Sequence, residues 1–293
     1  MALSMTQANP SASVRDYITL LKPRVMSLVV FSGVAGMMLN PAPINPIVAV
    51  IAIIAIALSA GAAAAINMWY DRDIDAVMKR TQHRPLPAGR MAPHSALEFG
   101  VVLSIIATLL MTLATNWVAG ALLTLANLFY VFVYTIWLKR STPHNIVIGG
   151  AAGAFPPMIG WAAVTGDITL VPILLFALIF FWTPPHFWAL ALVKRDDYAA
   201  AGIPMLPNVK GDTHTKWQML IYTLILLPLS LSLFAVGAAG QYYAAIAGGL
   251  GLLFIGHAVR VLLAPDNRGA GAMFAYSIFH LFALFAVLIF ESI

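Results

Sequence analysis

Nine apolar runs of about twenty residues each leave few folds open to this chain. They cover roughly 25–44, 47–67, 96–115, 117–138, 145–164, 168–193, 218–238, 242–264 and 270–290. A helix that crosses the hydrocarbon core of a bilayer needs about 20 apolar residues. Helices and closed barrels are the only structures that satisfy every backbone polar group inside lipid. A barrel would show short alternating segments, whereas these runs are long and unbroken. Charged residues make up only 9% of the chain against 61% hydrophobic, where soluble domains carry about 25% charge. Soluble enzymes, disordered chains and coiled coils are therefore excluded. The class predicted is all-α: a polytopic membrane protein of nine transmembrane helices. Turn residues separate the runs, as in Asn40-Pro41-Ala42-Pro43 and Thr165-Gly166-Asp167, and only Thr115-Asn116-Trp117 parts the third from the fourth. Residues 1–24 read as a polar tail without the order of a secretory leader. Residues 25–293 read as one transmembrane unit. There are no cysteines, so disulfides, thiol catalysis and Cys-ligated metals are out of reach.

Orientation follows from the basic residues. All 16 Lys and Arg fall in the tail or in the loops after the second, fourth, sixth and eighth runs. Cytoplasmic loops carry such an excess. The tail and these loops are thus predicted to face the cytoplasm and the C-terminus the outside, with the cell (inner or plasma) membrane as location. The net charge of +5 is topology charge on this reading, and no nucleic-acid partner is expected.

Two cytoplasmic loops are long, at about 68–95 and 194–217, and both mix acids with bases. In the first, Asn67, Asp71 and Asp75 form an N-x3-D-x3-D pattern. At 100° per residue these positions drift only about 80° over two turns, so one amide and two carboxylates share a helix face, while Asp73 points elsewhere. Acids at a helix C-terminus oppose the macrodipole, and two on one face repel. Mg²⁺ removes both penalties, because it takes carboxylate oxygens together with substrate phosphates. An acidic loop neutralised by its own Arg and Lys neighbours would show the same spacing. A basic run follows at 79–90, with Lys79, Arg80, Arg84 and Arg90 around a Pro-Leu-Pro-Ala-Gly break. Arginine forks bind phosphate oxygens in pairs, although positive-inside topology accounts for the sign alone.

The second constellation, Lys194, Arg195, Asp196, Asp197 and Tyr198, leads into Gly-Ile-Pro-Met-Leu-Pro at 202–207. It follows the sixth run as the first follows the second, which hints at a four-helix repeat plus one extra helix. The sixth run ends with Trp182, Pro184, Pro185, His186, Phe187 and Trp188. Double proline in a membrane helix frees carbonyls and belongs beside protein or a cavity. An intramembrane histidine is a functional candidate, unless it serves a freed carbonyl. His257 and His280 lie in later runs with no motif around them.

Taken together these residues resemble the UbiA superfamily of membrane prenyltransferases over nearly the whole chain. The superfamily mark is Asn67/Asp71/Asp75. The strings at 79–87, Pro-Pro-His-Phe-Trp-Ala-Leu at 184–190 and Asp-Tyr-x3-Gly-Ile-Pro-Met-Leu-Pro at 197–207 resemble its haem-modifying branch. The resemblance implies nine helices around a central cavity, with Mg²⁺-diphosphate held at the cytoplasmic mouth. It implies farnesyl transfer from farnesyl diphosphate to a vinyl group of haem B, with water added, giving haem O for terminal oxidases. Asn67, Asp71, Asp75 and Asp197 are then the metal and catalytic set, joined by Lys194. Arg72, Lys79, Arg80, Arg84, Lys194 and Arg195 face the diphosphate. His186, with Trp182 and Tyr198, faces the haem. Where many members carry a second D-x3-D, Ala201 stands four residues after Asp197, so the second metal site is thinner. Beyond its two substrates and the lipid bilayer, no haem-modifying or oxidase-assembly partner is identified. A quinone-precursor acceptor is the alternative within the superfamily. A transporter, which places its site near the midplane, is the alternative outside it.

Overall fold

A computed structural model describes residues 12–292. Residues 1–11 of the expected tail, and Ile293, lie outside that range. The described part of the tail is not plain coil. Ser13 and Asp16 form a reciprocal capping box that starts α1 (Val14–Leu20), and Arg90 binds the Asp16 carboxylate at 2.9 Å. The axis then bends 51° into α2 (Pro23–Met38). Pro23 offers no N–H to α1, and Lys22 sits in the left-handed region at φ 50°. The first apolar run, expected to reach residue 44, stops being helical at Met38, ahead of Pro41 and Pro43.

The remaining long helices are α3 (Pro46–Tyr70), α5 (Pro93–Ala114), α6 (Trp117–Leu128), α7 (Asn145–Thr165), α8 (Leu170–Val193), α11 (Asp212–Ala235), α12 (Gln241–Leu263) and α13 (Ala270–Ser292). The short ones are α4 (Arg72–Val77), α9 (Arg195–Ala200) and α10 (Leu206–Lys210), and no strand occurs among the described residues. Among the described residues, eight helices are long and apolar enough to cross a membrane, counting α6 with its continuation, and nine if α1 and α2 form one bent span. Asn116 makes the tight corner between α5 and α6. Its Oδ1 accepts from Ala119 N at 2.9 Å, and its Nδ2 donates to Ala162 O at 2.7 Å. α6 passes into a π-helix over Phe129–Leu138, a wider turn that often marks functional sites. The seventh run begins six residues earlier than expected, because Asp212 through Trp217 are already helical. Lys216, expected in a loop, is buried, and its ammonium donates to the carbonyls of Ala264 and Asp266 beyond the end of α12.

Lipid gives helices no hydrophobic drive to associate, so close packing of small residues must hold them. That is how α2 meets α7. A Cβ on Gly36 would lie 1.9 Å from the Pro157 carbonyl oxygen, and one on Gly160 would lie 2.0 Å from that of Gly33. Along α3, Ala62 to Ala65 are all buried, and Gly100 of α5 leaves room for Ile66. One core cluster joins α3, α5, α6 and α7, and a larger one joins α8, α11, α12 and α13. α7 and α8 pack along the seam, and α2 reaches α13, where Phe31 stacks on Phe282 at 4.9 Å. The outward faces keep exposed apolar side chains such as Leu113, Leu252 and Phe290, as lipid contact requires.

Candidate functional site

The helical hydrogen bonds run on through the end of α3. Asp71 N donates to Asn67 O at 2.9 Å and Asp75 N to Asp71 O at 2.8 Å. Asn67, Asp71 and Asp75 therefore stay in register across the junction with α4, and all three are buried. Asp73, off that face, is exposed and takes a bidentate pair from Arg140, both contacts at 2.7 Å. Those hydrogen bonds hold its carboxyl below the usual carboxylate range.

The buried acids are held by partners far away in sequence. Asp71 is fully buried. Its Oδ2 accepts from Asn67 Nδ2 at 2.7 Å and from the Lys139 ammonium, and its Oδ1 from Arg140 at 3.4 Å. Asn67 Oδ1 in turn accepts from Lys22 Nζ at 3.0 Å, while Asn67 Nδ2 reaches Thr135 Oγ1 at 3.2 Å. Asp75 Oδ2 takes Arg84 at 2.6 Å. Its Oδ1 has no hydrogen bond among the described residues. Thr81, from the basic run, donates to the Asp75 carbonyl at 2.9 Å. Leu86 from the same run packs with Leu20 and Met91, which folds the loop against α1. Lys22, Tyr130 and Tyr134 are half-buried.

Of the basic residues singled out in the sequence, only Arg84 is brought to the acids. Arg72 donates to the Trp69 carbonyl at 2.7 Å and lies over the Trp69 ring, which turns it away from the cluster. Lys79 and Arg80 are exposed. Arg195 pairs with Asp212 at 3.0 Å. Lys194 and Asp197 are half-buried, with no side-chain hydrogen bond or ion pair among the described residues. The two motifs nevertheless touch, through apolar groups: Ile74 and Met78 beside the first share a cluster with Tyr198, Ile203 and Met205 of the second. Sequence reading missed Lys22, Thr135, Lys139 and Arg140. Lys139 and Arg140 were visible there only as topology charge, and their signal was position, directly after an apolar run ending on the acidic side.

His186 sits about two turns before Lys194 on α8, roughly 12 Å along the axis. Its ring stacks between Trp182 at 4.3 Å and Phe274 at 4.6 Å, with Phe187 edge-on. Nδ1 lies 2.6 Å from Ser277 Oγ. Ser277 Oγ also lies 2.6 Å from the Phe274 carbonyl; with its one proton donated there, Nδ1 is the donor and Nε2 carries the lone pair. Nε2 has no hydrogen bond among the described residues and is not sealed. Trp182 Nε1 donates to the Ser277 carbonyl at 2.8 Å, so one residue of α13 fixes both rings. Pro184 and Pro185 do not break α8, and Thr183 returns its hydroxyl to the Ile179 carbonyl. His257 stacks on Tyr276, and His280 is fully buried with neither ring nitrogen bonded among the described residues.

No group of three or more His, Asp or Glu among the described residues is arranged to cage a metal. The donors at the first motif are two carboxylates and an amide, all hard oxygen ligands. Mg²⁺ takes one or two carboxylates and fills its remaining positions with water and substrate phosphate. The donor chemistry fits an ion that arrives with an anionic substrate.

The chain belongs to the UbiA prenyltransferase family, whose pattern matches residues 29–285. Among its relatives, the protoheme IX farnesyltransferase of Methylocella silvestris is 54% identical over 286 residues, 96% of this chain and 90% of that protein. The protoheme IX farnesyltransferase of Brucella ovis is 53% identical over 287 residues, 96% and 92% respectively. Among solved structures, a digeranylgeranylglyceryl phosphate synthase superposes with a TM-score of 0.80 at 18% identity, covering 95% of this chain and 98% of that one. A UbiA homologue from Archaeoglobus fulgidus, bound to DMAPP and Mg²⁺, gives 0.71 at 18% identity, covering 93% and 99%.

Proposed function

We propose that this chain transfers the farnesyl group of farnesyl diphosphate to a vinyl group of haem B, with addition of water, giving haem O and diphosphate. The observation that carries this reading is the identity of more than half of the residues, across 96% of the chain, with proteins named for that reaction. The basic end faces the cytoplasm on this reading, with the C-terminus outside, in the cell inner membrane.

The hard step is ionisation of the allylic C1–O bond, in which the diphosphate leaves with the electron pair. Asn67, Asp71 and Asp75 would hold Mg²⁺, which would supply charge stabilisation for that leaving group. Around it Arg84, Lys139 and Lys22 add cationic donors, with Lys194 and Asp197 reaching the same mouth from the second loop. Lys79 and Arg80 attract the anionic substrate at longer range. The terminal vinyl carbon of haem then bonds to farnesyl C1, and the cation left on the inner vinyl carbon takes water and releases a proton. The apolar walls exclude water until that point, and aromatic faces favour the allylic cation. His186 faces the haem through its Nε2 lone pair, either to the iron or to the released proton. Trp182 holds its ring, and Tyr198 joins the two loops beneath the porphyrin.

The test is the mass of the product after the purified chain is incubated with haem B, farnesyl diphosphate and Mg²⁺. Haem O is expected. A prenylated quinone precursor, formed while haem B returns unchanged, would overturn the acceptor assignment.

A further inference from the structure

Asp71 presents a problem for any ion that needs it. Both of its oxygens are engaged and it has no accessible surface. Of the four carboxylate oxygens on Asp71 and Asp75, only Asp75 Oδ1 lacks a hydrogen bond among the described residues. A cation meets a free oxygen on Asp75, but on Asp71 Oδ2, which the Asn67 amide also holds, it must take the place of the Lys139 ammonium. Lys139 caps the π-helix and keeps accessible side-chain surface, 17% against none for Asp71, so its ammonium has a side open to solvent that the carboxylate lacks. An ammonium withdrawn from a buried carboxylate needs another anion, because an unpaired charge there is costly. Arg140 differs. It touches Asp71 only at 3.4 Å and is fixed on Asp73 by two contacts at 2.7 Å.

We propose that Lys139 is an exchangeable counter-cation: it holds Asp71 until Mg²⁺ and a diphosphate arrive together, then passes from the carboxylate to the diphosphate. This rests on the reading that the site takes a metal with a prenyl diphosphate. It adds that the two ligands load cooperatively. Metal alone must displace Lys139 and leave it without a partner, whereas metal with diphosphate supplies the partner. The coupling is reciprocal by thermodynamic necessity. Mg²⁺ is thereby kept weakly bound until substrate is present, and Lys139 becomes a positioning residue for the leaving group.

The test uses the full chain in detergent, with Mn²⁺ as the probe and free ion followed by paramagnetic resonance. A farnesyl diphosphate analogue with a non-ionising bridge is then titrated with and without saturating Mn²⁺. In the wild type, Mn²⁺ alone binds weakly and the analogue strengthens it by about tenfold or more. Lys139→Gln binds Mn²⁺ alone about tenfold more tightly, and the analogue's help shrinks toward none. Arg140→Gln leaves both quantities near wild type. If the Lys139 and Arg140 variants tighten Mn²⁺ equally, the effect is general charge and the exchange is wrong. It is equally wrong if Lys139→Gln leaves Mn²⁺ affinity and coupling unchanged. Should Lys139→Gln fail to fold, Lys139→Arg decides. Its fork pairs more firmly with Asp71, so Mn²⁺ alone binds more weakly than in the wild type, and equal affinity overturns the proposal. A wild type that binds no Mn²⁺ with or without the analogue removes the metal reading itself, and this proposal with it.

Discussion

Asp71 and Asp197 occupy matching places, each where a long helix gives way to a short one at the basic end of the bundle. Asp71 is fully buried under an amide, an ammonium and a guanidinium. Asp197 is half-buried with no partner among the described residues. Four residues further on, the first motif places Asp75 beside Arg84, and the second places Ala201 in an apolar cluster. The first region is a neutralised charge network that must be rearranged to work. The second is an apolar cover over Ile74 and Met78 carrying loose charges at its edge. Substitutions should therefore have double consequences at the first motif, in stability and turnover, and single consequences at the second.

The largest effect is expected at Asp71→Asn. Size and one hydrogen bond survive, but the leaving diphosphate loses a metal-directed charge. Losing an electrostatic contribution of this kind costs about 10²–10³ in rate. Lys139 is also left half-buried without its carboxylate, so the melting temperature should fall as well. Steady-state turnover and a thermal unfolding scan on the same preparation check both. A variant with full stability and lost turnover would mean that the lysine re-pairs at no cost.

His186→Ala comes next and divides the molecule another way. It removes a ring stacked between Trp182 and Phe274, and the lone pair beside them. The absorbance of bound haem should shift, or haem should bind about tenfold or more weakly, a loss of the order expected for a deleted buried contact. Metal-dependent binding of the farnesyl diphosphate analogue should stay near wild type. An unchanged haem spectrum and affinity would return His186 to a packing role between α8 and α13.

Much of this frame was legible before any coordinates. The spans lie close to the apolar runs because lipid leaves a helix few choices, and the 67/71/75 register follows from helical geometry alone. What could not be read were contacts across sequence. Lys22 meets Asn67 over 45 residues, and Lys139 meets Asp71 over 68. The left-handed turn that aims Lys22 inward has no signature beyond the proline after it. Local geometry misled as well. Arg72 looks like a phosphate ligand by composition, but at the start of α4 its hydrogen-bond partner is the Trp69 carbonyl three residues back. Lys139 and Arg140 looked like topology charge, and they are also the counter-ions of the buried acids.

Asp197→Asn should be milder and confined to function. With no ion pair to lose, its melting temperature should stay within the small range of surface substitutions, about 0.5 kcal/mol. Turnover should fall and the Mg²⁺ concentration for half-maximal rate should rise, since Ala201 offers no spare carboxylate. A destabilisation as large as that of Asp71→Asn would show a hidden network at the second motif and dissolve the contrast.

The smallest effect belongs to Asp73, the acid inside the first motif that behaves like the second. Its side chain is 60% exposed, and Arg140 is its only ion-pair partner among the described residues. An exposed pair of this kind contributes about 1 kcal/mol or less, so Asp73→Asn should barely move turnover or melting temperature near neutral pH. The pH dependence identifies the pair. Hydrogen bonds from Arg140 lower the folded-state pKa of Asp73, so the folded form binds its proton less readily than the unfolded chain. The stabilisation is fully present above the unfolded carboxylate value of about 3.9 and is lost as pH falls through the lowered folded value. The gap in melting temperature between wild type and Asp73→Asn should therefore be constant from pH 8 to about pH 5 and close below about pH 4. Other carboxylates titrate in both proteins and cancel in the difference. A gap that already closes between pH 7 and pH 5 would mean that Asp73 is not held by Arg140 in solution, leaving that guanidinium available to Asp71 and to the exchange at Lys139.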